Sequence, residues 1–329
     1  RCGHHRDEGG EEMTPLVDSF GRRHTYLRIS VTDRCNLRCR YCMPPEGIEL
    51  RHRNEILTFD EIERVARLFA RLGVTKVRIT GGEPLVRKNL PQLVAQLAAI
   101  PGIAALGMTT NGVLLKHHAH ELKRAGLTHL NVSLDTLHPE RFEQIALRSH
   151  YDDVRAGIDA AITAGFVPLK LNVVVMGGVN DDELLDFVEF VRDKPINLRF
   201  IEYMPFKSNQ WNAATFVSFA QMKDVLRERY ELIPVLDGTS SSVAKEFRIS
   251  GIEGQRPHRG TVGFITSMSD HFCGDCNRVR LMAGGSVKSC LFRKPEVNMR
   301  NALRGGATDE ILATMIRSAL ILKPYAHAP

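Results

Sequence analysis

Tryptophan occurs once and tyrosine six times in 329 residues. Proteins that hold single-stranded nucleic acid stack its bases on aromatic rings. This scarcity therefore argues against a nucleic-acid partner, although the net charge is +6 and the pI about 9.0. An anionic small molecule accounts for the same charge. No segment approaches the roughly 18 uninterrupted apolar residues of a membrane helix, and no charged-then-apolar signal opens the chain. A cytoplasmic protein with no membrane partner is expected. There is no internal repeat, which excludes a solenoid. Disulfides are not expected either: in a reducing compartment the seven cysteines point to metal ligation or catalysis.

Hydrophobic content of 43% and charged content of 25% are those of a globular chain able to form a sizeable core. Residues 1–13 are polar and aperiodic and read as a disordered leader, in which Cys2 is an idle thiol and His4 and His5 belong to a flexible tail. From Tyr26 to Met204 short β-branched runs alternate with helix-period segments, the pattern of βα units around a parallel sheet. Strands are expected over Tyr26–Val31, Lys76–Thr80, Leu106–Thr110, Thr128–Leu134, Leu169–Val175 and Asn197–Tyr203. Thr58 with Glu61 makes a capping box before Ile62, Val65, Phe69 and Leu72, with Gly73 as the stop. A second helix is expected from Asn180, with Glu183 completing its cap and Leu184, Phe187, Val188 and Val191 on one face. The fold expected is an α/β partial (βα)6 TIM-like barrel over 14–210, followed by a C-terminal extension over 211–329. Alternation stops after Pro205, and a terminal helix is expected over Asp309–Leu322.

The cysteines fall into two triplets. Cys35-Asn-Leu-Arg-Cys39-Arg-Tyr41-Cys42 follows the first strand, where three thiolates can converge on one [4Fe-4S] cluster and leave its fourth iron open. A zinc knuckle with a distant fourth ligand is the bland alternative. The second triplet is Cys273-Gly-Asp-Cys276 with Cys290. Zinc with His271 as the fourth ligand fits its spacing, and a second cluster with an open iron fits it better. Counting the cysteine loop after the first strand, small polar groups end four strands in phase, with Gly81-Gly82-Glu83, Thr109-Thr110-Asn111 and Ser133-Leu134-Asp135 ending the second, third and fourth. In parallel barrels that edge carries the chemistry. Arg28, Arg78, Lys170 and Arg199 lie within strands of the one barrel, where guanidinium forks suit phosphate oxygens.

CxxxCxxC with an aromatic before its third cysteine resembles the radical S-adenosylmethionine superfamily. Together with the second triplet, Asn277-Arg278-Val279-Arg280, Arg28-Ile-Ser-Val-Thr-Asp33, Lys76-Val-Arg78-Ile-Thr80 and Arg199-Phe-Ile-Glu-Tyr-Met204, it resembles the GTP 3′,8-cyclase family, molybdenum cofactor biosynthesis protein A, from about Thr14 to Leu322. The resemblance implies two [4Fe-4S] clusters, on Cys35, Cys39 and Cys42 and on Cys273, Cys276 and Cys290. It also implies S-adenosylmethionine held by Tyr41, Gly82, Glu83, Ser133 and Met204, and GTP held by Arg28, Arg78, Thr109, Lys170, Arg199, Arg278, Val279 and Arg280. The first cluster would cleave S-adenosylmethionine to a radical that takes the 3′ hydrogen of GTP, so that C3′ attacks C8. Cys35, Cys39 and Cys42 with Arg278 and Arg280 would carry the catalysis.

A reductant such as flavodoxin or ferredoxin, cyclic pyranopterin monophosphate synthase downstream, and a monomer or homodimer follow from the same resemblance. The family tail ending in two glycines is not matched by Ala326-His-Ala-Pro329, so poor GTP cyclisation beside intact cofactor cleavage is expected. Two competing readings remain: a peptide-modifying radical enzyme with an auxiliary cluster, and a zinc-stabilised RNA-binding module.

Overall fold

The computed structural model describes residues 14–44, 46–206, 209, 211–235, 243–250 and 258–327. The expected leader with Cys2, His4 and His5 lies outside them. Six strands arrive where the sequence alternation places them: β1 Tyr26–Ser30, β2 Lys76–Thr80, β3 Ala105–Thr110, β4 His129–Ser133, β5 Leu169–Val175 and β6 Ile196–Glu202. They pair in parallel and in chain order. The helices between them are α1 Phe59–Arg71, α2 Leu90–Ala98, α3 Leu115–Arg124, α4 Pro139–Ala146, α5 Tyr151–Thr163 and α6 Leu184–Phe190.

The chain then adds α7 Phe219–Arg227, β7 Glu231–Pro234, β8 Lys245–Ser250, β9 Thr261–Ile265, β10 Arg278–Leu281, β11 Ser286–Lys288, β12 Val297–Asn298, α8 Arg300–Arg304 and α9 Asp309–Ile321. This is where the sheet exceeds the six units expected. β9 joins β6 in parallel and β10 joins β1 in parallel, so the strand order is β12-β11-β10-β1-β2-β3-β4-β5-β6-β9-β8-β7. Both additions continue outward through antiparallel neighbours, β11 and β8, and the barrel stays open. No helix periodicity announces β9 or β10, because neither is reached through a βα unit of the regular kind.

The cap at Thr58 forms as expected: Thr58 Oγ1 accepts from Glu61 N at 3.1 Å and Glu61 Oε2 accepts from Thr58 N at 2.7 Å. The helix it starts buries Ile62, Val65 and Phe69, each such side chain contributing about 1.5–3 kcal/mol of apolar burial. The cap expected at Asn180 does not form. Asn180 Nδ2 donates instead to Asp135 O (2.6 Å) and Val174 O (2.9 Å), and its Oδ1 accepts from Met176 N. Glu183 turns inward to Thr136 Oγ1 and Leu137 N, both 2.6 Å. Buried backbone groups of the β4 loop claim both side chains, so a single 3-10 turn precedes α6, which begins at Leu184.

Alternation along the strands sorts side chains to two faces. On β1, Leu27 and Ile29 are fully buried beneath the helices while Tyr26, Arg28 and Ser30 face inward. On β5, Leu169, Leu171, Val173 and Val175 go to the helix layer and Lys170 and Asn172 go inward. A parallel barrel normally fills its interior with branched apolar side chains. Here the interior is polar and encloses space.

Candidate active site between two cysteine triplets

The inward faces of the strands surround a cavity of about 1160 Å³. Cys42 reaches it from the loop after β1, and Cys273, Cys276 and Cys290 reach it from the segments around β10. Nine of its lining side chains are Arg or Lys, against one carboxylate, Glu246. Such a lining suits a polyanion.

Strand register sets the cations in rows. Arg280, Arg28 and Arg78 are level across β10, β1 and β2. Burial, then the neighbouring Arg28 and Arg278 charges, bring Arg280 down to about 9. Lys170 is brought to about 8 by burial and then by Arg199 and Arg78. These cations repel one another in the empty cavity, and a bound anion relieves that repulsion. Two of them are also held by protein. Arg78 donates to Asn131 Oδ1 at 2.7 Å and to the hydroxyls of Tyr26 and Thr109. Arg199 donates to Asn197 and to Glu246 Oε1, the latter at 2.6 Å. Gly107 makes room for Arg78, since a Cβ there would lie 3.1 Å from its guanidinium.

Among the described residues two fully buried polar atoms of the lining have no hydrogen-bond partner: Asn172 Oδ1 and Arg278 Nε. Buried groups of this kind are costly unless a ligand completes them. Asn172 is level with Ser133 on β4, so an acceptor and a hydroxyl stand side by side near the first triplet's strand edge. Arg278 packs over Phe272 and donates to Cys276 Sγ at 3.4 Å.

The first cysteine loop is tied down by groups that do not line the cavity. Gly82 is required because the loop backbone passes so close that a Cβ would lie 2.1 Å from Arg34 O. The close approach is thus to the protein's own chain. Glu83 is 1% exposed, and its carboxylate accepts from Leu85 N, Thr110 Oγ1 (2.7 Å) and Asn111 N (2.6 Å). Its donors are the loops after β2 and β3. Asn111 in turn donates to Asn36 Oδ1 and to Cys35 Sγ. Tyr41 packs against the cluster of Ile145, Met176 and Tyr203, near the Asp135 carboxyl. Burial pushes Asp135 up to about 6. Val279 is fully buried in the core, on the face opposite Arg278 and Arg280. Met204 and Thr109 line the cavity; Tyr41, Gly82, Glu83, Ser133 and Val279 do not.

Each triplet suits a cluster by its donor set. The thiols of Cys35, Cys39 and Cys42 feel one another's charge, and Cys276 and Cys290 both act on Arg280. Among the described residues no three His, Cys, Asp or Glu side chains converge as they would on a single ion. In a cubane each thiolate instead takes a different iron.

Residues 29–191 match the Radical SAM superfamily and residues 196–329 match Molybdenum Cofactor Synthesis C. A mitochondrial GTP 3′,8-cyclase of Arabidopsis thaliana is 50% identical over 95% of this chain and 79% of that protein. A GTP 3′,8-cyclase of Moorella thermoacetica is 46% identical over 95% of both. The chain belongs to the GTP 3′,8-cyclase family. It spans about half the length of the animal relatives, such as human molybdenum cofactor biosynthesis protein 1, which is 47% identical over 48% of its own length. SuiB of Streptococcus suis bound to S-adenosylmethionine superposes with a TM-score of 0.63 over 89% of this chain and 68% of that one. At 14% identity it speaks to the fold, a radical SAM partial barrel.

Several cavity residues of this cyclase-family chain were not singled out by motif reading: Tyr26, Lys76, Asn131, Asn172, Asn197 and Glu246. Tyr26 and Lys76 stand two residues before Arg28 and Arg78, so strand alternation alone would have found them. Glu246 sits on β8, an element without a motif, and no local signal marks it.

Proposed function

We propose that this chain is a radical S-adenosylmethionine GTP 3′,8-cyclase. It converts GTP to (8S)-3′,8-cyclo-7,8-dihydroguanosine 5′-triphosphate, the first step of molybdenum cofactor biosynthesis. The observation that carries the reading is one cavity lined by Cys42 of the first triplet, by all three cysteines of the second and by nine Arg or Lys side chains.

When bound at the first triplet, a [4Fe-4S] cluster and S-adenosylmethionine supply a one-electron cleavage that yields a hydrogen-abstracting carbon radical. The chain's residues do the rest by position. Arg28, Arg280 and Lys170, which no carboxylate of the described residues neutralises by an ion pair, take the triphosphate oxygens. Arg78 and Arg199 are pre-set by Tyr26, Asn131 and Glu246, so little of their freedom is lost on binding. Arg278 orients the base beside the second cluster that Cys273, Cys276 and Cys290 would hold, and an open iron there would offer the base a ligand site, so that C8 is set toward C3′ by orientation. Asn172, with Met204, faces the other ligand.

No helix of the described residues is long and apolar enough to cross a membrane, and free thiols suit a reducing compartment such as the cytoplasm. A flavodoxin or ferredoxin supplies the electron, and cyclic pyranopterin monophosphate synthase takes the product. The test uses the full chain reconstituted anaerobically, with GTP, S-adenosylmethionine and a reductant. About eight irons per chain, 5′-deoxyadenosine and the cyclised nucleotide, even in low yield, are expected. Binding of peptide or RNA with none of GTP, or zinc in place of iron, overturns the reading.

A further inference from the structure

Lys323 follows α9 and is 4% exposed. Its Nζ donates to Arg278 O at 2.9 Å, Cys276 Sγ at 3.3 Å and Cys276 O at 3.5 Å. Among the described residues its charged neighbours are the Cys276 thiol and the guanidiniums of Arg22 and Arg278. A buried ammonium is costly unless an anion stands against it. The sulfur of Cys276 is the group that meets this need.

The placement is held from behind. Arg22 donates to Cys273 O at 2.6 Å, Pro324 O at 2.8 Å and Tyr325 O at 2.7 Å, while Asp18 receives its Nε at 2.7 Å. One guanidinium thus joins the backbone of the second triplet to the residues just after Lys323. The contact between ammonium and sulfur is therefore built into the fold, across 47 residues of sequence.

We propose that Lys323 is a positioning residue of the second cluster, whose ammonium donates to the ligand sulfur of Cys276 and raises the reduction potential of whatever cluster that triplet holds. The inference rests on reading Cys273, Cys276 and Cys290 as cluster ligands. Charge and hydrogen bonds at ligand sulfurs stabilise the reduced, more negative form. Arg278 adds a second donor to the same sulfur, so Lys323 shares this role and does not hold it alone.

The experiment uses the full chain with Cys35→Ser, Cys39→Ser and Cys42→Ser, reconstituted with iron and sulfide, so that one cluster is read. About four irons per chain with a reducible cluster signal support the ligand reading; no iron removes both the reading and the proposal. Potentiometric titration followed by electron paramagnetic resonance then compares Lys323→Met and Lys323→Arg with that parent. A shift to lower potential in Lys323→Met at equal iron content, recovered in Lys323→Arg, is expected. An unchanged potential in Lys323→Met overturns the proposal while leaving the cluster reading in place. If Lys323→Met takes up no cluster, Lys323→Gln keeps a neutral donor: a smaller negative shift is expected, and no shift overturns the proposal.

Discussion

The two cysteine triplets sit on one cavity but in opposite electrostatic settings. At the first, burial pushes the thiols of Cys35 and Cys39 up, and the Asp135 carboxylate adds to the effect at Cys39. The donors to Cys35 are neutral, from Leu37 N and Asn111 Nδ2. At the second, burial also acts to raise Cys276, yet the Arg278 and Lys323 charges bring its thiol down to about 6. One triplet is held among neutral donors and the Glu83 and Asp135 carboxylates, with Arg38 a weaker opposing charge at Cys35. The other is held against the Arg278 and Lys323 cations. The same three-thiol motif is thus specialised by its surroundings, and the two sites are not interchangeable.

The strongest test of that division exchanges single cysteines. Cys39→Ser abolishes 5′-deoxyadenosine formation, whereas Cys276→Ser keeps it and loses the cyclised nucleotide; chromatography of both products reads the split. Equal loss of both products in the two variants would break the comparison. In metal-free protein the thiols themselves report the contrast. Alkylation of Cys276 rises to a plateau with a midpoint near pH 6, while Cys39, pushed well up by burial, lags at about pH 9 behind an ordinary thiol of pKa about 8.5, which is mostly thiolate there. Peptide mapping after alkylation across pH separates the sites.

The cationic lining gives a smaller effect that should spare the first site. Lys170→Gln weakens GTP binding about tenfold, as loss of a charge-assisted contact of about 1.5 kcal/mol implies, and leaves S-adenosylmethionine binding unchanged in calorimetry. Lys170 in the empty cavity loses its proton near pH 8. The charged form, present below that value, is the one that binds phosphate, so its contribution to affinity fades as pH rises from 7 to 9. In Lys170→Gln that part of the pH dependence disappears. The smallest change is Gly107→Ala. Its added methyl displaces the Arg78 guanidinium and weakens GTP binding roughly threefold, less than 1 kcal/mol, again without touching the first site.

Much of this arrangement is legible along the chain. Cys35, Cys39 and Cys42 advertise their chemistry by spacing, and Arg28, Arg78, Lys170 and Arg199 stand out as charges within strands. Strands β1 to β6 and the cap of α1 follow from local periodicity and from one hydroxyl placed three residues before one carboxylate. Other assignments depend on contacts between distant residues. Glu183 looks like a capping residue by its neighbours in sequence and is a loop anchor by its neighbours in space. Gly82 looks like a ligand-approach glycine and is needed by the backbone at Arg34.

The residue pattern thus settles the three-thiol motifs, the parallel alternation and the cationic character of the barrel's inner face, because each is carried by short-range spacing. Folding settles the rest. It brings β9 and β10 to the two free edges of the parallel run and sets Val279 in the core beside the inward Arg278 and Arg280. It also places Lys323 against a sulfur and leaves Asn172 and Arg278 with open hydrogen bonds. Those outcomes arise where elements far apart in sequence pack together, and buried charges and polar groups must find partners that no local period can name.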